Sequence, residues 1–179
     1  MRDELKKFNW HTYGLKFDDF DYTINLIDKL INSQNVVFEI EMEKVKIQYK
    51  NEPDIYDEIF SDVVHYDYLD NLFLNHFALT RSQGIFEGIL KQEFFPQKNL
   101  IGLKKKLDYI KTLNYVLNDY DYNQILEWGK LRNALSHSPP EQFRPGLLDK
   151  NDVKEYITLA KKILNNLIEQ KNNVQQQWL

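Results

Sequence analysis

An arginine and a histidine five positions apart are the residues of this chain best suited to chemistry. They bracket the segment Arg132-Asn133-Ala134-Leu135-Ser136-His137, which ends a helical pattern and is stopped by Pro139-Pro140. A guanidinium is always charged and forks onto phosphate oxygens. An imidazole gives and takes protons near neutral pH. Together they can cleave a phosphodiester without a metal. His137 would take the proton of a ribose 2′-hydroxyl as general base, and Arg132 would stabilise the charge growing on the phosphate. Asn133 would orient either the imidazole or the scissile phosphate. Such chemistry is restricted to RNA, because DNA lacks the 2′-hydroxyl.

Spacing constrains this reading. On an ideal helix, positions 132 and 137 are about 140° apart, while Arg132 aligns with Trp128 and Ser136, and Asn133 with His137. The pair converges if Arg132 reaches round, if the last turn loosens, or if a second copy supplies one group across a two-fold axis. A helix C-terminus also favours a protonated His137. The plain alternative is that Arg132 and His137 only finish a helix ahead of Pro-Pro.

The rest of the chain must hold this segment in place. Its 179 residues suffice for one domain with a sizeable core, and 42% apolar content with eleven Tyr and eleven Phe marks a folded chain. With no cysteine, disulfides and thiolate metal sites are excluded. No metal or cofactor is expected. The charged N-terminus leads into no apolar segment, and no apolar run reaches membrane-spanning length, so a soluble cytoplasmic protein is expected.

Net charge is −4, against generic nucleic-acid coating, but the charge is unevenly spread. Residues 51–75 hold seven acids and no Lys or Arg, which reads as a solvated face. Residues 98–111 hold five lysines against Asp108. That run is either another solvated face or a phosphate-attracting rim, with Lys104, Lys105 and Lys106 at its centre.

Helical periodicity dominates the chain. Helices are expected over about 18–33, 55–94 (with a break near 66–68), 103–117, 123–136 and from about 150 onward, with a polar tail from 171. Residues 36–49 alternate as a strand would, so they are either helix, irregular extension or half of a hairpin. Leu69, Leu72, Phe73, His76, Phe77 and Thr80 share one helical face. Leu113 and Leu117 are expected to point inward. Asp149 or Asn151 can cap the last helix, and Asp152 with Glu155 resembles a capping box. Gly84 and Gly88 have the spacing that permits close helix–helix approach. His76 reads as a packed histidine, and the Tyr66–Tyr68 and Phe94-Phe95 clusters read as core, with base stacking as the alternative. The sum is an all-α bundle of about five or six helices.

The motif and its setting resemble the HEPN superfamily. The family pattern is Arg, a polar residue, three further residues and His, near the end of a late helix in an all-α bundle. Arg132, Asn133 and His137 match it. The upstream helix Leu79-Thr80-Arg81-Ser82-Gln83-Gly84-Ile85-Phe86-Glu87-Gly88-Ile89-Leu90-Lys91 looks like the family's earlier core helix, with Ser82 and the Phe86-Glu87 pair. The resemblance covers about residues 65–170 as a HEPN-like core, leaving 1–64 as a helical extension and 171–179 as a tail. It implies a homodimeric, metal-independent endoribonuclease with paired motifs in one cleft. Arg132 and His137 would be catalytic and Asn133 supporting, with Glu87 and Arg81 as further supporting candidates. It also implies a role in toxin–antitoxin pairs or antiviral defence, with an antitoxin or defence partner protein. Other family members have lost activity and bind RNA, nucleotide or protein. One toxin subgroup carries a modified tyrosine two residues after the histidine; Pro139 stands there in this chain, so that mode of neutralisation is not expected.

Overall fold

The computed structural model describes the backbone of residues 14–137 and 148–176, and the side chains of 14–135 and 148–174. The expected Pro139-Pro140 stop and most of the loop after it lie outside the described residues. Five helices follow in order: α1 Asp18–Gln48, α2 Pro53–Phe94, α3 Leu103–Thr112, α4 Asp119–His137 and α5 Lys150–Gln176. The described residues contain no strand, so the chain is all-α.

Local chemistry explains most of the boundaries. Asp18, Asp19 and Asp21 crowd the first turn of α1, where the dipole favours carboxylates. Pro53 opens α2, a position where its missing N–H costs nothing. Gly102 precedes α3 at φ 89°, a conformation that glycine adopts without strain. Asp149 caps α5: its Oδ1 accepts from the backbone N–H groups of Asn151 and Asp152, and Asp152 Oδ2 accepts from the N–H of Asp149. The capping box is therefore Asp149–Asp152, and not the expected Asp152–Glu155.

Two helices are longer than expected. Residues 36–48 continue α1 and Tyr49 caps its C-terminus, and α2 runs unbroken through Tyr66–Tyr68 and across position 65. The alternating pattern at 36–49 suits either period. The helical one prevails because Phe38, Met42, Val45 and Tyr49 form a half-buried seam at helical spacing, while Ile40 and Ile47 stay exposed. A single strand has no partner for its hydrogen bonds. In contrast, α3 stops at Thr112, where Leu113 and Asn114 turn (Asn114 at φ 65°). Leu113 is exposed as a result, while Leu117 is buried beyond the helix. The expected tail from 171 begins as helix and continues to Gln176.

The second half of α2 is the spine. From Asn75 onward it buries Ala78, Leu79, Ile85, Phe86, Ile89 and Leu90. Of the residues expected to share a face, Leu69, Leu72, His76 and Thr80 are half-buried, while Phe73 and Phe77 are 62% and 56% exposed. Lys106 pairs with Glu87 and Tyr109 stacks edge-on with Phe95, so α3 runs in the direction of α2. Tyr122 pairs with Asp108, so α4 runs back. Lys162 pairs with Asp121 and Tyr156 meets Trp128, so α5 reverses again. Ion pairs Lys161–Asp21 and Lys150–Asp28 tie α5 antiparallel to α1. Of the two glycines inside α2, Gly88 takes the close approach: an added Cβ would overlap Leu15, whereas Gly84 faces open space.

Phe86 is fully buried at the centre of this packing. Phe86→Ala is expected to cost about 3–5 kcal/mol, whereas Phe73→Ala should stay within about 0.5 kcal/mol. Urea unfolding of the two variants checks this contrast.

Candidate active site

The motif sits on the C-terminal half of α4. That helix is started by Asn118, whose Oδ1 accepts from the N–H groups of Tyr120 and Asp121. Ile125 anchors it in the core. Gly129 then sets its distance from its neighbours. A Cβ there would lie 3.0 Å from Leu103 of α3 and 3.9 Å from the Gln83 amide of α2. The missing side chain lets three helices meet, and the next turn of α4 carries Arg132 and Asn133 to the edge of that junction.

A cleft of 390 Å³ opens at this edge. Of the residues chosen from sequence, Arg132, Asn133, Glu87 and Lys104 line it. Gln83 and Lys130 line it too and were not anticipated; Gln83 lies one turn before Glu87, which was the only available signal. Arg81 is exposed, lies outside the cleft, and has no ion pair among the described residues. Lys105 is exposed and does not line the cleft. Lys106 is no rim residue: it turns inward to an ion pair with Glu87, both side chains about 15% exposed. The lysine run thus divides, with Lys104 at the cleft and Lys106 beneath it.

The polar groups are organised around two contacts. Arg132 Nη1 donates to Asn133 Oδ1 at 3.0 Å, which makes Asn133 an orienting partner of the guanidinium. Arg132 Nε is buried without a partner among the described residues, an unpaired donor whose desolvation the fold has to bear. Glu87 accepts from Gln83 Nε2 at 2.7 Å and from Lys106. That carboxylate is fully engaged and reads as a structural anion, not as a free base.

Behind these groups lies Tyr156 of α5, which sequence reasoning did not place here. It is fully buried, edge-on to Trp128 at 5.9 Å, and its hydroxyl has no partner among the described residues. Burial pushes the phenol well above its usual pKa; the Glu87 charge adds to this and the Arg132 charge opposes it. The phenol therefore stays neutral and can serve only as a neutral hydrogen-bonding group.

His137 is the last residue of α4, and its side chain lies outside those described. The helix does not loosen before it. Positions 132 and 137 therefore keep their separation of about 140° around the axis. His76 is half-buried against the edge of Phe73, as expected of a packed histidine, and Nε2 has no partner among the described residues. Among the described residues no group of His, Cys, Asp and Glu has the arrangement of a metal site. No described helix is long and apolar enough to cross a membrane. No family model, curated protein or solved structure matches this chain.

Two outcomes follow from these contacts. Lys106→Met strands the Glu87 carboxylate and should cost about 1–3 kcal/mol, while adding Glu87→Gln should restore much of that loss; a double-mutant cycle by urea unfolding measures it. Burial holds the His76 imidazole below its ordinary 6.5. The unfolded chain then binds that proton more readily, so the stability from neutral His76 is present above about pH 6.5 and lost as pH falls through the lowered value. Replacing His76 with Leu should flatten the fall in urea midpoint between pH 7.5 and 5 relative to wild type.

Proposed function

We propose that this chain is a metal-independent endoribonuclease of the HEPN type, acting as a homodimer. The observation that carries the reading is the meeting at one cleft of Arg132 and Asn133, on the helix that ends in His137, with Lys104 of α3. Arg132 and Lys104 attract and clamp a phosphate, and Asn133 holds the guanidinium in its plane. His137 removes the proton of the 2′-hydroxyl, whose oxygen attacks the adjacent phosphorus. The P–O5′ bond breaks, and the 5′-oxygen takes a proton from the imidazolium of a second copy. The products are a 2′,3′-cyclic phosphate and a 5′-hydroxyl, with Arg132 neutralising the pentacoordinate phosphate between them.

A dimer resolves the geometry of α4. With positions 132 and 137 on different sides of a regular helix, one copy's Arg132 and the other's His137 meet more readily across a two-fold axis than within one chain. The HEPN-like core would span about residues 65–170. The cytoplasm, with RNA as substrate, and service in a toxin–antitoxin or defence system with a partner protein complete the proposal.

One observation favours a second reading. Glu87, Lys106, Gln83 and the Arg132–Asn133 pair already satisfy much of one another's polarity. A HEPN-like module that binds RNA or a nucleotide through Lys104, Lys130 and Arg132 without turnover would need no more.

The test uses wild-type, His137→Ala and Arg132→Ala proteins with a mixed pool of structured and single-stranded RNA in EDTA. Wild type should leave cyclic 2′,3′-phosphate ends. His137→Ala should lose about 10²–10⁴-fold in rate and Arg132→Ala about 10²–10³-fold, with melting temperatures unchanged. Cleavage by His137→Ala at the wild-type rate overturns the proposal. Absence of cleavage by all three, with RNA retention that Lys104→Glu abolishes, selects the binding module.

A further inference from the structure

The arm formed by the first two helices carries a feature that the cleft does not use. Past Ile27 in α1 and before Asn75 in α2, no residue is buried. The seam between the two helices is only half buried: Phe38, Met42 and Val45 of α1 and Tyr56, Ile59 and Val63 of α2 are all half-buried, and Phe38 and Val63 line one hollow. A two-helix arm of this kind lacks the third element that would cover its apolar surface.

A trough runs along one side of the seam. Near the bundle it is a hollow of 410 Å³ walled by Leu30 and Phe73. Farther out it is a hollow of 180 Å³ walled by Val37 and Tyr66. Gln34 and Asp70 line both hollows, and Gln34 Nε2 donates to Asp70 Oδ2 at 2.7 Å across the seam. The two hollows therefore adjoin at the Gln34–Asp70 bridge. Leu30 and Val37 are seven residues apart, as are Tyr66 and Phe73, so each pair projects from one helix face two turns apart. All four are exposed, by 40%, 49%, 65% and 62% in chain order. From Leu30 to Glu41 the trough is about 16 Å long at 1.5 Å per residue, or three helical turns.

Charge identifies the occupant. Glu41, Asp67 and Asp70 stand along the trough, and no Lys or Arg lines either hollow. Residues 28–74 hold eleven carboxylates against four lysines. We propose that this trough is the docking site for a basic amphipathic helix of a partner protein. The partner lays apolar side chains at i, i+3 or i+4, and i+7 between Leu30, Val37, Tyr66 and Phe73, and sets Lys or Arg against the three acids. The arm then becomes a three-helix bundle. The same face of a second copy fits poorly, because it sets acid against acid. Nucleic acid and anionic lipid are repelled for the same reason. None of these trough residues lines the cleft, so the inference stands apart from the RNA reading.

The experiment uses the full chain and a fluorescein-labelled synthetic helix of about 18 residues, with Leu at core heptad positions and Lys at the flanking ones. A comparison peptide has Glu in place of every Lys. Anisotropy should report saturable binding of the Lys peptide and at least about tenfold weaker binding of the Glu peptide. Tyr66→Ala/Phe73→Ala in the protein should weaken the Lys peptide about tenfold or more, while Val36→Ala/Val64→Ala, on other faces of the arm, should leave it unchanged. All four positions are exposed, so the variants keep the fold, which circular dichroism checks. Equal binding of the two peptides, undiminished binding to the Tyr66/Phe73 variant, or no binding at all overturns the proposal. So does a wild-type dimer in sedimentation that Phe73→Lys disperses, which would assign the trough to a second copy.

Discussion

The closeness of α4 to α2 and α3 at Gly129 is the constraint on which the cleft depends. A Cβ there would lie 3.0 Å from Leu103, which would have to shift by a few tenths of an ångström, and would just touch Gln83 at 3.9 Å. Helices normally pack with their axes about 8–10 Å apart, and small residues at the crossing set the lower end. Where α4 lies this near, its following turn delivers Arg132 and Asn133 to the cleft edge beside Glu87 and Lys104. A wider separation would leave the same residues as scattered surface charge.

The polar cluster beneath the cleft then follows from burial. Glu87 cannot be left bare at about 15% exposure, so Lys106 and Gln83 turn toward it. The lysine that composition would place on a rim is drawn inward, and Lys104 alone of the three triplet lysines lines the opening. Tyr156, held by Trp128 and the core, lies within reach of the Glu87 and Arg132 charges as a neutral group. What lines the opening is mainly cationic: Arg132, Lys104 and Lys130. Charge sign in the cleft is thus a result of which lysine found a carboxylate, not of how many lysines there are.

The arm obeys the opposite logic. Its helices are long enough to leave the bundle, and their seam is too narrow to bury its large side chains. Apolar surface that folding leaves open, edged by carboxylates of one sign, is a surface shaped for association. Cleft and arm share α2: its second half is spine, and its first half is arm.

The sequence by itself determined the helical class, the rough positions of five helices and the segment that carries Arg132, Asn133 and His137. These are set by local periodicity, by acids and prolines at helix ends, and by residue type, all of which act over a few neighbouring positions. Tertiary structure decided the rest. It extended α1 through 36–48 because α2 offered a helical seam, and it shortened α3 at a turn that the apolar spacing of Leu113 and Leu117 concealed. It turned the face of Phe73 and Phe77 outward, chose Asp149 over Glu155 as the partner of Asp152, and sent Lys106 to Glu87. It also brought Tyr156, from a helix two elements on from α3, beneath residues of α2 and α4. Period and composition say which residues want burial, but which neighbour covers them, and which of several like charges is paired, depends on distances between segments far apart in the chain.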